Sequence, residues 1–515
     1  MKWWQREIIY QVYPKSFDSR GLKGFIERLD YLKSLGVGAI WLTPIFPSPM
    51  IDNGYDVSNY TDIDPRYGSL EDFDRFVAES KSRGIKIILD LVYNHTSDQH
   101  PWFLESKKNR TNSKSDFYIW RDQPTNWRGI FGGSAWEFCP ERNQYYLHTF
   151  AKQQPDLNWE NPEVRRELFN AANFWVDRGV SGFRIDAITY IKKPQDFRDE
   201  IPDGSDGLSS IHPLTANSPG ILDFLFEFKK AVFDRGEIFT VAEANGVSPE
   251  DLKFWIGDSG AFDEVFEFSH LILSFESGRE QWCHPRDWKL SELKRALNST
   301  QAATRSNGFA PIFFENHDQP RAIDHFFPKI PKEFQNRAAK VLAVILITMR
   351  GTPFIFEGQE LGLTNIDFKS IDEVDDISSK GQFEFALNEG FSESDALKFV
   401  KMFSRDNARV PMPWNLVDEE SRDPDSVLNF YRKLSKLRHE IDGEYIPLLE
   451  DDERIFAFKR GSNFIIIANF SNDPIEIPSE ILPSNFEIML STEKPIDSSY
   501  LQLEPIEARI YNLKL

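Results

Sequence analysis

Cysteine is almost absent: Cys139 and Cys283 are the only two in 515 residues. A disulfide framework and a cysteine-based zinc cluster are thereby excluded. Long hydrophobic runs are missing too. The most apolar stretch, 341–349, is about half of what a membrane helix needs. The opening MKWWQREIIYQVYP lacks the apolar region and small-residue cleavage site of a signal peptide. A cytoplasmic protein with no membrane attachment is expected. Positive charge is the third deficit. Sixty basic against 81 acidic residues leave a net charge of −21, which argues against nucleic acid or an anionic membrane as partner. What is plentiful is core material, with 40% hydrophobic residues, 44 Phe and 13 Trp. Core packing explains such aromatics first, and sugar-stacking surfaces second.

At about 150 residues per domain, the length fits roughly three domains or one large domain with attachments. Short apolar runs alternate with longer amphipathic ones. Residues 8–12, 38–42, 85–92, 182–188, 238–242, 262–266, 310–314 and 353–356 read as eight buried strands. Between the first two, Leu22, Phe25, Ile26, Leu29, Leu32 and Leu35 recur at helical spacing and stop at Gly36. The pattern returns at Leu70, Phe73, Phe76 and Val77, and again at Val164, Leu168, Ala171, Ala172 and Trp175. This predicts an α/β fold, a (β/α)8 TIM barrel, although counting alone leaves a doubly wound sheet open. Residues 96–160 show no clean helix, are rich in Asn, Ser, Trp and Tyr, and read as an inserted subdomain after strand 3. Beyond 442 the pattern becomes ERIFAFKRG, NFIIIANFS and FEIMLST, an all-β C-terminal module. The expected division is a barrel over 1–95 and 161–442, an insertion over 96–160, and a β-sandwich-like domain over 443–515.

Polar residues concentrate at strand ends, where such a barrel builds its site. In GFRIDA, period two puts Arg184 and Asp186 on one face and Phe183, Ile185 and Ala187 on the other. An adjacent Arg favours an ionised carboxylate, available as a nucleophile, although a structural ion pair fits equally well. Glu243 closes the fifth strand, and its apolar approach would raise its pKa, as a proton donor requires. Asn316, His317 and Asp318 end the seventh strand, while Asp90, Asn94 and His95 end the third. One carboxylate that attacks and one acid that protonates the leaving oxygen form the glycosidase pattern. Metal hydrolysis ranks below it, because no compact ligand cluster or H-E-x-x-H is present.

The ordered motifs QREIIYQVYPKSF (5–17), DNGYDVSNY (52–60), DLVYNHTS (90–97), GFRIDAI (182–188), VAEANG (241–246) and ENHDQPR (315–321) carry a resemblance. The chain resembles the α-amylase superfamily of glycoside hydrolases, family 13, in its oligo-1,6-glucosidase and α-glucosidase branch. QPDLN at 154–158 looks like that branch's marker. The resemblance implies a retaining mechanism with Asp186 as nucleophile and Glu243 as general acid, then base. Asp318 would hold ring hydroxyls and stabilise the oxocarbenium-like transition state. Asp52, Tyr55, His95, Arg184, His317 and Arg409 match positions around the terminal glucose, Tyr55 offering a stacking face. Asp52 and Arg409 would cap the outer face of that sugar. Phe150 walls the aglycone side or packs in the core.

Three departures bear on the carry-over. Many relatives carry a calcium loop D-x-N-x-D-G-x-G-D, but residues 16–22 are shortened and hold one carboxylate. No calcium is expected there, and no cofactor elsewhere. Ala187 stands where α-1,6-preferring relatives tend to have Val, which favours α-1,4 substrates such as maltose, or sucrose. Sucrose isomerases carry an Arg-Leu-Asp-Arg-Asp loop where this chain has Arg321-Ala322-Ile323-Asp324-His325. The expectation is an exo-acting α-glucosidase whose partner is a short oligosaccharide or disaccharide. Its rivals are a transglycosylase or sucrose isomerase with the same triad, a phospho-disaccharide hydrolase, and a non-catalytic binding module like transporter heavy-chain ectodomains.

Overall fold

The computed structural model describes residues 2–204, 206–248, 250–276, 281–483, 485–493 and 501–514. Each of the eight apolar runs supplies one strand: β1 (Ile8–Val12), β2 (Val37–Leu42), β3 (Lys86–Val92), β4 (Gly182–Asp186), β5 (Phe239–Glu243), β6 (Glu264–Phe266), β7 (Pro311–Ile312) and β8 (Thr352–Phe356). They pair in parallel in the order β6-β5-β4-β3-β2-β1-β8-β7. That sequence makes a barrel nearly closed, its one open seam falling between the short strands β6 and β7. The runs are continuously apolar because both strand faces are covered, one by helices and one by the barrel's own filling. Ile9, Leu89, Phe183, Ile185 and Val241 are fully buried. The fourth strand ends two residues earlier than expected. Ala187 adopts a left-handed φ of 43°, so it leaves the alternation that Phe183 and Ile185 follow.

The outer layer contains α1 (Leu22–Ser34), α2 (Leu70–Ser82), α3 (Pro162–Asp177), α4 (Ile221–Ala231), α5 (Leu290–Thr304) and α6 (Gln335–Thr348). Helix α2 starts where Ser69 Oγ accepts from the Asp72 N–H and Asp72 accepts from the Ser69 N–H. Helix α3 starts with an Asn161 cap and Pro162 at its first position. All of the apolar stretch 341–349 but its last residue falls in α6, and the stretch is buried. No helix among the described residues is long and apolar enough to cross a membrane. Beyond β8 come α7 (Ile377–Asn388), α8 (Glu393–Phe403) and α9 (Val427–Arg438).

The chain between β3 and α3 forms one short helix, Pro101–Ser106, and an antiparallel sheet of Trp120–Arg121, Gln144–Leu147 and Trp136–Cys139. Asp156 ties it to the barrel. Its carboxylate accepts from Asn94 Nδ2 at 3.2 Å, Thr149 N at 3.0 Å and Lys193 Nζ at 2.8 Å, all buried. The C-terminal strands β9 (Tyr445–Leu448), β10 (Ile455–Arg460), β11 (Phe464–Asn469), β12 (Phe486–Ser491) and β13 (Ala508–Leu513) form one antiparallel sheet, ordered β9-β10-β11-β13-β12. Alternation splits its faces. Phe456, Phe458, Ile466 and Ile510 join the barrel's core, whereas Ile455, Ala457, Ile465 and Ile467 build a second small core with Ile475 and Leu503.

Candidate active site

Strand register brings the first group together. Asp90 on β3 lies abreast of Arg184 on β4, Arg184 abreast of Val241 on β5, and Ala242 abreast of Ile185. Glu243 therefore ends level with Asp186. Arg184 fans out between three carboxylates. Its Nη1 reaches Asp90 Oδ1 at 2.8 Å and Asp186 Oδ1 at 2.7 Å, and its Nη2 reaches Glu243 Oε2 at 2.6 Å. The Ala187 N–H donates to the same Glu243 oxygen at 3.1 Å, a direction made available by the left-handed turn after Asp186. Trp41 Nε1 and the Tyr55 hydroxyl donate to Asp90 Oδ2 at 3.3 and 3.0 Å.

A second group gathers around Asp318. His317 Nε2 lies 2.5 Å from Tyr55 Oη and 3.1 Å from Asp318 Oδ2. The Gln11 amide nitrogen, on β1, donates to His317 Nδ1 at 2.7 Å, which leaves the imidazole proton on Nε2. Arg409 donates to Asp318 Oδ1 at 2.7 Å and to the His317 carbonyl at 2.8 Å. Arg405 reaches the same Asp318 oxygen at 3.2 Å, Asp52 Oδ1 at 3.0 Å and Asp376 Oδ1 at 2.5 Å. Gln154, from the insertion, donates to Asp52 Oδ2 at 3.0 Å and lies 3.1 Å from His95 Nε2. The His95 ring is 5.2 Å from the Phe150 ring. All ten residues expected at a site are thus linked through these contacts.

Burial and charge pull in opposite directions here. Burial pushes the Asp186 carboxyl well above the ordinary range; Arg184 opposes this, and Glu243 and Asp90 reinforce it. Asp90 is pushed up to about 6 by burial against the same guanidinium. Burial drives His317 down to about 3, so the ring is neutral at pH 7. For Asp318, burial would raise the carboxyl, but His317, Arg405 and Arg409 outweigh it and hold it well below the usual range. The two carboxyls diverge because Asp186 is more buried and shares one cation with two other anions, whereas Asp318 faces two guanidinium groups.

Several expectations change in detail. Arg184 does not by itself fix Asp186 as a carboxylate, because it serves three anions at once. The approach to Glu243 is polar at its end, with Arg184 and the Ala187 N–H on its carboxylate. His317 lies off the hydroxyl edge of the Tyr55 ring, the two planes within 9° of parallel and the centroids 5.2 Å apart. Asp52 is held by Arg405, which also reaches Asp318. Arg405, Gln154, Gln11 and Asp376 were not singled out in the sequence. Arg405 had a signal, since it lies four residues before Arg409 in the same segment. Asp18, the single carboxylate of the shortened loop, is held by Arg20 through Nε at 2.9 Å and Nη2 at 2.8 Å.

A parallel (β/α)8 barrel with carboxylates, histidines and arginines converging at its C-terminal strand ends has the architecture of a glycoside hydrolase, and the chain's relatives agree. Residues 11–443 match the model of the alpha amylase catalytic domain. The oligo-1,6-glucosidase of Parageobacillus thermoglucosidasius is 37% identical, with 100% of this chain and 99% of that protein covered. The trehalose-6-phosphate hydrolase of Escherichia coli (strain K12) is 38% identical, with 98% of each covered. The crystal structure of isomaltulose synthase (PalI) from Klebsiella sp. LX3 superposes with a TM-score of 0.93 at 37% identity, covering both chains fully. The chain belongs to the α-amylase family, glycoside hydrolase family 13, and is an enzyme of that class.

Proposed function

We propose that this enzyme is a retaining, exo-acting α-glucosidase that releases α-glucose from the non-reducing end of short α-glucosides, with maltose-type α-1,4 links favoured. The observation that carries the reading is the bridge from Arg184 to both Asp186 and Glu243. Two carboxylates sharing one guanidinium face a common space, which supports the closely spaced pair of a retaining enzyme. In the first step an Asp186 oxygen bonds to the anomeric carbon as the glycosidic bond breaks, and Glu243 gives its proton to the departing oxygen. In the second, Glu243 takes a proton from water, which displaces Asp186 and restores the α configuration. The Arg184–Glu243 contact must give way for Glu243 to reach the leaving group. Asp318 and the His317 Nε2–H are placed to hold ring hydroxyls. The ion pairs from Arg405 to Asp52, Asp318 and Asp376 support a blind inner end, hence exo action.

Linkage rests on Ala187, the small residue beside Asp186. A second reading, α-1,6 hydrolysis, is favoured by relatives bearing the oligo-1,6-glucosidase name. Isomerisation is disfavoured, because Ile323, Asp324 and His325 stand where the isomerase loop has Asp, Arg and Asp. A panel of maltose, isomaltose, sucrose, trehalose and trehalose 6-phosphate, followed by product analysis, tests the reading. Free glucose, initially the α-anomer, with maltose cleaved faster than isomaltose, is the expected result. Initial β-glucose overturns the retaining mechanism, new disaccharides from sucrose favour the isomerase, and exclusive cleavage of the phosphorylated sugar favours the phospho-disaccharide hydrolase.

A further inference from the structure

Helix α7 carries a glycine in its interior, where alanine is the better helix former. What Gly381 provides is clearance. A Cβ on it would stand 2.8 Å from the carbonyl oxygen of Phe131, whereas ordinary contact begins at 3.4 Å. Phe131 is at the tip of a tight turn in the insertion. The Gly129 N–H donates to Gly133 O at 3.0 Å, and the Ile130 N–H to Thr149 O at 2.8 Å. The Phe131 ring lies 5.6 Å from the Phe150 ring. The Arg405 guanidinium is 5.2 Å from the Phe131 ring, and that same group binds Asp52 and Asp318. The turn therefore fills the space between α7 and the site.

We propose that Gly381 is a positioning residue: by admitting the Phe131 carbonyl against α7, it seats the Phe131–Phe150 wall and so selects the sugar on the leaving side of the scissile bond. The selection of a sugar rests on the α-glucosidase reading; the seat does not. The helix is the fixed partner. Its Asp376 cap accepts from the Ser378 and Ser379 N–H groups and from Arg405 Nε at 2.8 Å. The turn is the yielding one, since Gly132 and Gly133 have φ of 90° and 72° with nothing within 4 Å of a Cβ. An alanine at 381 displaces the turn and its ring, not the helix.

The experiment compares wild type, Gly381→Ala and the exposed-site control Lys380→Ala. Kinetics are measured on maltose, isomaltose and α-glucosyl fluoride, which has no leaving sugar, and hydrogen exchange is followed in the segment 127–136. Gly381→Ala is expected to raise KM for the cleaved disaccharide roughly 3–10-fold through lost apolar contact, with kinetics on the fluoride changed less than about twofold. Exchange in 127–136 should accelerate, Lys380→Ala should do neither, and the melting temperature should hold because alanine favours the helix. Phe131→Ala removes the ring while keeping the carbonyl seat. It should reproduce the KM split without the faster exchange. An unchanged disaccharide KM in Phe131→Ala, or equal losses on fluoride and disaccharide in Gly381→Ala, overturns the selective wall. Unchanged exchange in Gly381→Ala overturns the seat. A wild type that cleaves none of the three compounds sinks the glucosidase reading instead, and the exchange result still decides the seat.

Discussion

Replacing Arg405 with leucine tests whether the inner end of the site is held by charge or by shape. The side chain is 12% exposed and meets Asp318 at 3.2 Å, Asp52 at 3.0 Å and Asp376 at 2.5 Å. At an effective dielectric of about 20, each contact near 3 Å has a gross attraction of about 5 kcal/mol. Desolvation of the partners offsets most of it, and removing one member of a buried network leaves a net loss of about 3–5 kcal/mol. The pH dependence follows from the partners. Burial works against charge on Asp376, but Arg405 and Arg409 overcome it and hold its carboxyl at about 2, against an ordinary 3.8. Asp318 is likewise held low. Groups depressed on folding contribute stability that is fully present above their unfolded pKa and is lost as pH falls through the folded one. The wild type enjoys that contribution at pH 7, and the leucine variant forfeits much of it. The difference between them should be about 3–5 kcal/mol at pH 7 and should narrow as pH falls below about 4. Urea unfolding at pH 7, 5 and 3.5 measures it, with Arg405→Lys recovering part of the loss at pH 7. A gap of constant size across that range refutes the electrostatic account and leaves packing as the cause.

Asp186→Asn should lower kcat on a cleaved disaccharide by roughly three orders of magnitude or more, with KM little changed; near-wild-type turnover removes Asp186 from the nucleophile's role. The Arg20 grip on Asp18 leaves that carboxylate without free lone pairs directed at a cation. Excess calcium or a chelator should therefore leave the melting temperature unmoved, and a chelator-induced drop refutes it. Lys193→Ala strands the buried Asp156 carboxylate and should cost about 3–5 kcal/mol. Lys193→Ala with Asp156→Asn should cost less than Lys193→Ala alone, and equal costs would deny the pairing.

The residues that the sequence exposed are those whose geometry is local. Arg184 and Asp186 share a face by period two, and parallel register then brings Asp90 and Glu243 alongside, so a strand-end pattern was enough to find all four. The barrel was legible for the same reason, each strand being a bounded apolar run. What failed were readings that depend on the path of a loop. Spacing within 405–409 cannot tell whether Arg405 or Arg409 reaches Asp52, because both flank the same short turn. Gln154 acts only because the insertion folds back over β3. The surroundings of Glu243 were misread because its own strand is apolar, while the groups on its carboxylate come from β4 and the turn after it. Asp376 lies among the acidic residues Asp372, Glu373 and Asp375, and only the return of α7 to the barrel mouth buries it.

Six carboxyl groups, from Asp52, Asp90, Asp186, Glu243, Asp318 and Asp376, face three guanidinium groups, from Arg184, Arg405 and Arg409, so anions outnumber cations even with Glu243 protonated as the acid. The cluster therefore attracts positive charge, which explains why burial and crowding lift the proton affinity of Asp186 despite the cation at 2.7 Å. A neutral sugar relieves little of that imbalance in its ground state. As the glycosidic bond breaks, positive charge develops on the ring, and the surplus of fixed negative charge finds a partner at that moment. An arrangement that interacts more strongly with the charged transition state than with the neutral substrate is one that accelerates the step. The same surplus repels an anion from the inner end. A phosphorylated disaccharide would have to present its phosphate away from that end.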